Sequence, residues 1–359
     1  GLYQGALMGA QRITISSIIS MVMVTIGNLG AVVVLAFVSP TIEGFFIWQA
    51  CVGLVYAITM RGAAWKIIGK SDQIRFDANN LKSVWRFTAG MSGIGLTSLA
   101  FTQLDKVILS KMLALEEFGH YMLATVVVSG LSVLIVPVYN VVYPRFSALV
   151  ATGDTTKLMN LYRLGTRMLG TVLFPIAMLL AIFSEYLVRV WTGNSDIASS
   201  VAPIISLLVI GSSLNGVMFF PYALQLAYGM TWIPLTINIV LMLFLVPLII
   251  FLAQTYGALG GAMAWLTTEI AYLMLGPWLT HRYLLKGLAF RWLLSDVGIP
   301  LLMSILVGLF GYYVTHVTVS PVYVKLVCGI GLAIFTSAMS IWLSPQLRSA
   351  MWHYIGSKK

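Results

Sequence analysis

The segment from Phe87 to Tyr121 reads FTAGMSGIGLTSLAFTQLDKVILSKMLALEEFGHY. An apolar run long enough to cross a bilayer meets Asp105 and Lys106, and apolar residues follow directly at 107–109. Ionisable groups within or at the end of a membrane helix cost several kcal/mol by most scales, and they usually face a protein interior or a water-filled cavity. The segment therefore indicates a membrane helix beside a place where a solute binds or passes.

The composition extends this prediction to the whole chain. Of its 359 residues, 59% are hydrophobic and 9% are charged, whereas soluble domains carry about 25% charged residues. A hydropathy window of about 19 residues identifies ten spans, each near the ~20 residues that a helix needs to cross a bilayer. The spans are 13–37, 45–60, 87–104, 121–143, 164–183, 201–222, 232–252, 258–279, 297–314 and 322–343. We therefore predict an all-α, polytopic membrane protein with about ten transmembrane helices.

The distribution of basic residues sets the predicted orientation. The formal net charge is +10, and if Arg12 is cytoplasmic, seventeen of the 21 lysine and arginine residues fall on the cytoplasmic side. The four on the other side are Lys106, Lys111, Arg189 and Lys325. This asymmetry follows the positive-inside rule and places the C-terminus in the cytoplasm. The basic charge therefore reports topology, and no nucleic-acid partner is predicted.

Several tryptophans stand at or near the ends of the predicted spans. Tryptophan rings are enriched at the two membrane–water interfaces, where they anchor helices. We predict interfacial anchors at Trp85, Trp191, Trp232, Trp292 and Trp342.

The sequence gives no pattern that predicts an enzyme or a metal site. Cys51 and Cys328 both lie in apolar spans, and the four histidines show no metal-ligand spacing. There is no glycine-rich loop with a following lysine to cradle a phosphate, so we predict neither ATP hydrolysis nor a cofactor. The predicted outer loops are short, which leaves little room for a catalytic domain.

A weak internal repeat divides the chain. Residues 9–48 resemble residues 229–265, and both segments contain Gly-x-x-x-Trp at the start of their second span. Four spans that begin at Phe87 precede the second copy, and none precedes the first, although a transporter of two parallel repeats has matching halves. We therefore expect a truncated, two-lobed exporter fold whose first lobe is incomplete.

This repeat predicts four parts along the chain. They are the last two helices of a first lobe (1–60), a cytoplasmic amphipathic linker (61–86), a complete six-helix second lobe (87–282), and two additional helices with a cytoplasmic tail (283–359). The linker is polar and basic, as segments that lie on a membrane surface commonly are.

Asp105 and Lys106 have two interpretations. Successive helical residues point about 100° apart, so we expect that these two side chains do not neutralise each other. Lys106 follows Phe87 by about 28 Å of helix at 1.5 Å per residue, which brings it close to the outer surface. The sequence supports equally a position in a cavity and a position at the outer interface, where Lys106 would extend to the headgroups.

Glu269 lies deeper in its span. It follows Ala258 by about 16 Å of helix, which places it near the midplane. One interpretation is a protonatable cavity carboxylate that couples transport to a proton or cation, and the other is a protonated structural acid bonded to another helix. A midplane acid is a functional candidate by default.

Five motifs in consistent order resemble the polysaccharide-export flippases. They are QLDKVILSKMLALEEFGHY (103–121), VVYPRFSALVATGD (141–154), VRVWTGN (188–194), LQLAYGMTWIPLTINIV (224–240) and YGALGGAMAW (256–265). These flippases, including those of the O-antigen type, belong to the multidrug/oligosaccharidyl-lipid/polysaccharide exporter superfamily. The resemblance covers nearly the whole chain and implies two six-helix lobes around a central cavity, often with two extra C-terminal helices.

The resemblance also implies a function without enzymatic activity. Such a protein moves an undecaprenyl-diphosphate-linked oligosaccharide across the bacterial inner membrane by alternating access. Its implied partners are this substrate, membrane lipids and polysaccharide-assembly proteins. Lys106, Arg145, Arg163 and Arg167 are the candidate diphosphate contacts, although Arg145 and especially Arg163 also fit as topology charges.

The predicted site and its alternatives follow from these considerations. Amides within spans commonly hydrogen-bond between helices and are therefore weaker signals. The alternative function is a cation-coupled multidrug or small-solute exporter, with Glu269 as the ion-coupling acid, and a membrane glycosyltransferase or ligase is disfavoured by the short outer loops. The candidate substrate or cavity residues are Asp105, Lys106, Arg145, Arg167, Asn215 and Gln225.

Overall fold

The computed structural model describes residues 2–9, 12–69, 78–317 and 322–343, and these residues confirm the predicted all-α fold. The helices are α1 (Leu2–Gly9), α2 (Ile13–Val33), α3 (Ile42–Ile68), α4 (Ala78–Met112), α5 (Leu115–Ser129), α6 (Ser132–Thr152), α7 (Thr155–Thr192), α8 (Ser195–Ala227), α9 (Trp232–Tyr283), α10 (Ala289–Arg291), α11 (Ile299–Val317) and α12 (Val322–Leu343). π-Helical segments follow α2 at Val34–Val38 and precede α11 at Trp292–Gly298.

The length and apolar composition of the helices fit a protein that crosses the membrane several times. In the described part of the chain, seven helices are long and apolar enough to cross a membrane. One of them, α9, counts once although its 52 residues contain two of the predicted spans. Each predicted span falls on helical residues, with one interruption at 130–131. Helices meet the main demand of a bilayer because they satisfy their backbone hydrogen bonds within the segment.

The chain forms two compact units, residues 1–80 and 81–359. In the first unit, α1, α2 and α3 pack together. The ring of Trp48 on α3 lies against Gly30 on α2, where a Cβ atom would overlap it, and its Nε1 donates to the carbonyl oxygen of Gly27 at 3.1 Å. The absence of a side chain at Gly30 therefore lets these two helices approach closely.

The second unit is centred on α7, α8 and α9, which contain most of its buried apolar side chains. Small residues bring these helices together: Gly165 faces the ring of Phe220, and Gly216 faces Leu173. Close packing matters here because lipid tails are as apolar as leucine, so burial alone gives little drive for association in a membrane. The helices α11 and α12 pack on α7.

The predicted span 121–143 is divided between two helices, α5 and α6. Gly130, which has a low helix propensity, follows the last residue of α5. The hydroxyls of Ser129 and Ser132 each donate to a backbone carbonyl at 2.6 Å, those of Val126 and Ser129, and so satisfy backbone groups at the interruption. Hydropathy could not reveal this division because the residues on both sides are equally apolar.

The helix α9 turns sharply at Gly257, whose φ of 57° and ψ of −135° are not helical. The carbonyl group of Leu252 lies against Gly260, whereas a straight helix would separate these residues by about 12 Å. The carboxylate of Glu117 accepts a hydrogen bond from the backbone N–H of Ala258 at 2.8 Å, so a residue of α5 caps the second half of α9. The two halves of α9 correspond to two predicted spans.

The predicted amphipathic linker, residues 61–86, is helical at both of its ends. Residues 61–68 continue α3, and residues 78–86 begin α4. Both flanking helices extend beyond their apolar spans because polar residues outside the hydrocarbon can still form helix. The centre of the linker, 70–77, and the predicted cytoplasmic tail from residue 344 lie outside the described residues.

Replacing Gly257 by alanine should destabilise the protein by roughly 1–3 kcal/mol, since a side chain is strained at this backbone conformation. Its Cβ atom would also meet the carboxylate of Glu117. The melting temperature of the purified protein in detergent measures the effect. Gly95→Ala on α4 is the matched control because a Cβ atom there meets nothing within 4 Å. Equal melting temperatures for the two variants would contradict the constrained turn.

Candidate functional site

Two adjoining cavities lie between α4 and other helices of the second unit. The larger, called the Lys106 cavity, has a volume of about 490 Å³ and is bounded by α4, α5, α6, α8 and the second half of α9. The smaller, called the Asn238 cavity, has a volume of about 310 Å³ and is bounded by α4, α8 and both halves of α9. Thr102, Asn215, Phe219 and Trp265 line both. The two cavities are therefore neighbouring compartments that share a wall.

Asp105 and Lys106 line the Lys106 cavity. Of the two positions that the sequence left open for them, this is the cavity position. The expectation that they do not neutralise each other is wrong, because the Nζ of Lys106 lies 3.2 and 3.4 Å from the two Asp105 carboxylate oxygens. The long lysine stem folds back along α4 although the two Cα–Cβ bonds diverge. Tyr121 donates its hydroxyl to Asp105 at 2.6 Å. Asp105 is thus held from two sides and is 3% exposed.

Lys106 lies in the lining of the cavity. Its side chain is 25% exposed, and it also donates to the carbonyl oxygen of Thr102 at 2.8 Å. Ser129 and Ser132, at the interruption between α5 and α6, line the same cavity. This wall therefore offers the Asp105–Lys106 ion pair and several hydroxyls to a polar solute.

Glu269 is fully buried directly behind a residue of the shared wall. The Nδ2 of Asn215 lies 3.1 and 3.0 Å from the two carboxyl oxygens of Glu269. Glu269 itself is not among the residues that line the two cavities, whereas Asn215 lines both. The acid therefore combines features of its two interpretations, because it is bonded to α8 and a single amide separates it from the cavities.

Arg163 and Arg167 form a buried ion cluster with Asp296, which lies in the π-helical segment before α11. The Nε of Arg163 lies 2.8 Å from one oxygen of Asp296, and the Nε of Arg167 lies 2.6 Å from the other. Ser295 accepts from both guanidinium groups, at 3.4 and 3.0 Å. Asp296 is fully buried. The cluster therefore ties α7 to the segment that leads into α11.

This cluster contains two residues for which the sequence predicts another role. Arg167, a predicted cavity residue, pairs with Asp296. Trp292 was predicted as an interfacial anchor, but it is fully buried, and its Nε1 donates to the hydroxyl of Thr166 at 3.1 Å. Sequence reasoning missed Asp296, and the only available signal was an acid beside the start of the predicted span 297–314.

Two further predicted residues lie away from the cavities. Arg145 is exposed on α6 and lines neither of them. Gln225 is buried and donates from Nε2 to the hydroxyl of Thr280 at 2.7 Å, so it joins α8 to the second half of α9 as interhelical amides commonly do. Three residues of the predicted set line the cavities: Asp105, Lys106 and Asn215.

Comparisons with known proteins agree on a family and a fold. A family model described as "Polysaccharide biosynthesis protein" matches residues 8–201. A curated protein of Shigella flexneri named "Putative O-antigen transporter" is 22% identical over 257 residues, which are 70% of this chain and 59% of that protein. The solved structure "Lipid II flippase MurJ, inward closed conformation" matches with a TM-score of 0.60 and 17% identity over 96% of this chain and 68% of that chain. The chain thus spans about three fifths of the curated relative's length.

Replacing Asp296 by asparagine should destabilise the protein by about 3–5 kcal/mol, because it removes the carboxylate shared by two buried guanidinium groups. The melting temperature in detergent measures the loss. Glu185→Gln is the matched control on α7, since its pair with Arg189 is exposed and such pairs contribute only ~0–1 kcal/mol. If Asp296→Asn melts together with this control, the cluster does not hold α7 to the segment before α11.

Proposed function

Because the chain belongs to the polysaccharide biosynthesis protein family, we propose that it moves a lipid-linked oligosaccharide across the membrane by alternating access. The names of the matched proteins, an O-antigen transporter and a lipid II flippase, support this class of activity. The substrate we propose has a polar glycan, an anionic diphosphate and an undecaprenyl tail. The protein acts as a transporter and not as an enzyme.

The Lys106 cavity is the observation that carries this proposal. Its volume of about 490 Å³ lies among helices of the membrane-spanning bundle, and the Asp105–Lys106 ion pair lies in its wall. A diphosphate that leaves water needs a positive charge, and glycan hydroxyls need hydrogen-bonding groups in place of water. Arg163 and Arg167 meet Asp296 in a separate cluster. Lys106, which lines the cavity and would exchange its bond to Asp105 for one to the substrate, is the proposed diphosphate contact.

The proposed location is the bacterial inner membrane, with the C-terminus in the cytoplasm. The excess of lysine and arginine in the predicted cytoplasmic segments supports this orientation. We further propose that residues 1–60 belong to a first lobe and residues 87–282 form the second. The boundary between the two compact units, after residue 80, falls within the proposed linker. Polysaccharide-assembly proteins of the same membrane are proposed partners, since the flipped oligosaccharide must be passed on.

Replacing Lys106 by alanine should lower polysaccharide export by roughly tenfold or more, the effect of losing one hydrogen bond to a charged group. The measurement is surface polysaccharide in an export-deficient strain that carries the complete gene. Lys111→Ala is the matched control, because Lys111 lies exposed on the same helix and outside the cavity. Protein abundance is measured in parallel.

The outcomes of this experiment separate the site from the function. If the unaltered gene restores export and Lys106→Ala does so equally well, Lys106 is not a substrate contact. If the unaltered gene fails to restore export in any strain that lacks a related flippase, the proposed function is rejected.

The second candidate function is a cation-coupled multidrug or small-solute exporter. The observation that favours it is Glu269, an acid buried one amide away from the cavities. Ionisable residues inside a membrane bundle often mark ion pathways. A complete gene that does not restore surface polysaccharide but extrudes cationic dyes would establish this alternative.

Replacing Glu269 by glutamine should lower export without lowering protein abundance. Glutamine keeps the shape of the side chain and an acceptor for Asn215, but it cannot take up or release a proton. Export is measured with and without a transmembrane pH gradient, and Glu116→Gln at an exposed position of α5 is the control. Unchanged export by Glu269→Gln would leave the acid with a structural role alone.

A further inference from the structure

We infer that the Asn238 cavity is a sugar-binding compartment, which holds an uncharged ring of the glycan while the diphosphate lies in the neighbouring Lys106 cavity. This inference rests on the proposed function and names the part of the substrate that each cavity takes. Three features of the Asn238 cavity support it: aromatic walls, fixed hydrogen-bond acceptors, and the absence of charge from its described lining.

Aromatic rings form much of the wall. Phe101 on α4 and Trp265 on α9 pack with ring centroids 5.5 Å apart and an interplanar angle of 36°. Tyr222 and Tyr272 also line the cavity, and Tyr222 stacks on Tyr139 at 5.9 Å. Sugar rings present flat faces of C–H groups that pack on aromatic rings, and tyrosine and tryptophan add a polar group for hydroxyls. Trp265 is half-buried, so part of its indole faces the compartment.

The amide of Asn238 is oriented by its neighbours. Its Nδ2 donates to the hydroxyls of Thr97 at 3.2 Å and Ser98 at 2.9 Å. The hydroxyl of Thr97 already donates to the carbonyl oxygen of Gly93 at 2.8 Å, so it accepts from Asn238. These hydrogen bonds therefore use the NH₂ group of Asn238 and leave its carbonyl oxygen to accept from a ligand.

Asn215 is used in the same way. Its Nδ2 faces both carboxyl oxygens of Glu269, which leaves the carbonyl oxygen as the part of the amide that can meet a solute. Two amide oxygens in fixed positions suit a ligand that brings hydrogen-bond donors, and the hydroxyls of a sugar are such donors. Binding sites for small molecules commonly combine an apolar lining with a few placed polar groups of this kind.

Charge separates the two compartments. Among the described residues that line the Asn238 cavity, none is ionisable except tyrosine. An anionic diphosphate would lose its hydration there without gaining a cation, which is costly. The adjoining cavity has Lys106, paired with Asp105, in its lining. The shared residues Asn215 and Trp265 therefore mark the boundary between a compartment for sugar and one for charge.

The test compares binding of two lipids to the complete protein in nanodiscs. One is the undecaprenyl-diphosphate oligosaccharide extracted from an export-deficient strain, and the other is undecaprenyl diphosphate without sugar. Replacing Trp265 by leucine should weaken binding of the glycosylated lipid by about tenfold, the usual scale of a lost aromatic stack and its buried area. Binding of the sugar-free lipid should fall by less, since Trp265 also lines the Lys106 cavity. Trp265→Phe should retain most of the affinity.

Two further variants complete this experiment, one as a second test and one as a control. Asn238→Leu removes the acceptor with little change in volume, and it should weaken binding of the glycosylated lipid alone, because Asn238 lines the Asn238 cavity and not the Lys106 cavity. Trp278→Leu is the matched control, because Trp278 lies on the same half of α9 but is 51% exposed and lines neither cavity. Binding of the sugar-free lipid shows that each variant is folded.

Several outcomes would overturn the inference. Equal affinity of the unaltered protein for both lipids rejects the sugar compartment and leaves the proposed function standing. Equal losses for both lipids in Trp265→Leu and Asn238→Leu assign these residues to structure. Since aromatic cavities also bind organic cations, ethidium that binds the unaltered protein and is lost in Trp265→Leu, without glycosylated-lipid binding, would reject the inference and the proposed function together.

Discussion

Polar groups inside a bilayer must be satisfied within the protein or in a cavity, because the hydrocarbon offers no partners. This constraint explains where the ionisable groups of the second unit lie. Arg163 and Arg167 converge on Asp296, and the carboxylate of Glu117 caps the second half of α9. Lys106 also has partners, Asp105 and the carbonyl oxygen of Thr102 on its own helix, but its side chain is 25% exposed and lines a cavity. Burial thus separates the charged groups that hold the fold from the one that a solute can reach.

The same constraint decides what the sequence could predict. A membrane helix satisfies its backbone within one segment, so apolar length alone located the helices at all ten predicted spans. The interruption at Gly130 escaped prediction because apolar residues flank it on both sides. The turn at Gly257 was easier, because two apolar runs together are too long for one crossing.

Site residues were harder to predict because their partners are remote in sequence. Arg167 and Asp296 are separated by 129 residues, and no local spacing connects them. For the same reason Trp292 could not be distinguished from the exposed tryptophans at other span ends. The error at Asp105 had a different cause, since helical directions describe where a side chain starts and not where a flexible lysine ends.

Asn215 is the residue at which these considerations meet. It lines both cavities, and its NH₂ group binds the midplane acid Glu269. A solute that accepts or donates a hydrogen bond at this amide therefore changes the surroundings of an acid that it never touches. Because Glu269 is fully buried, losing its hydrogen bonds from Asn215 would leave its carboxyl group without a partner that offsets the cost of its burial. A solute in the cavities can thus affect Glu269, the acid for which the sequence suggested a coupling role, through the side chain of Asn215.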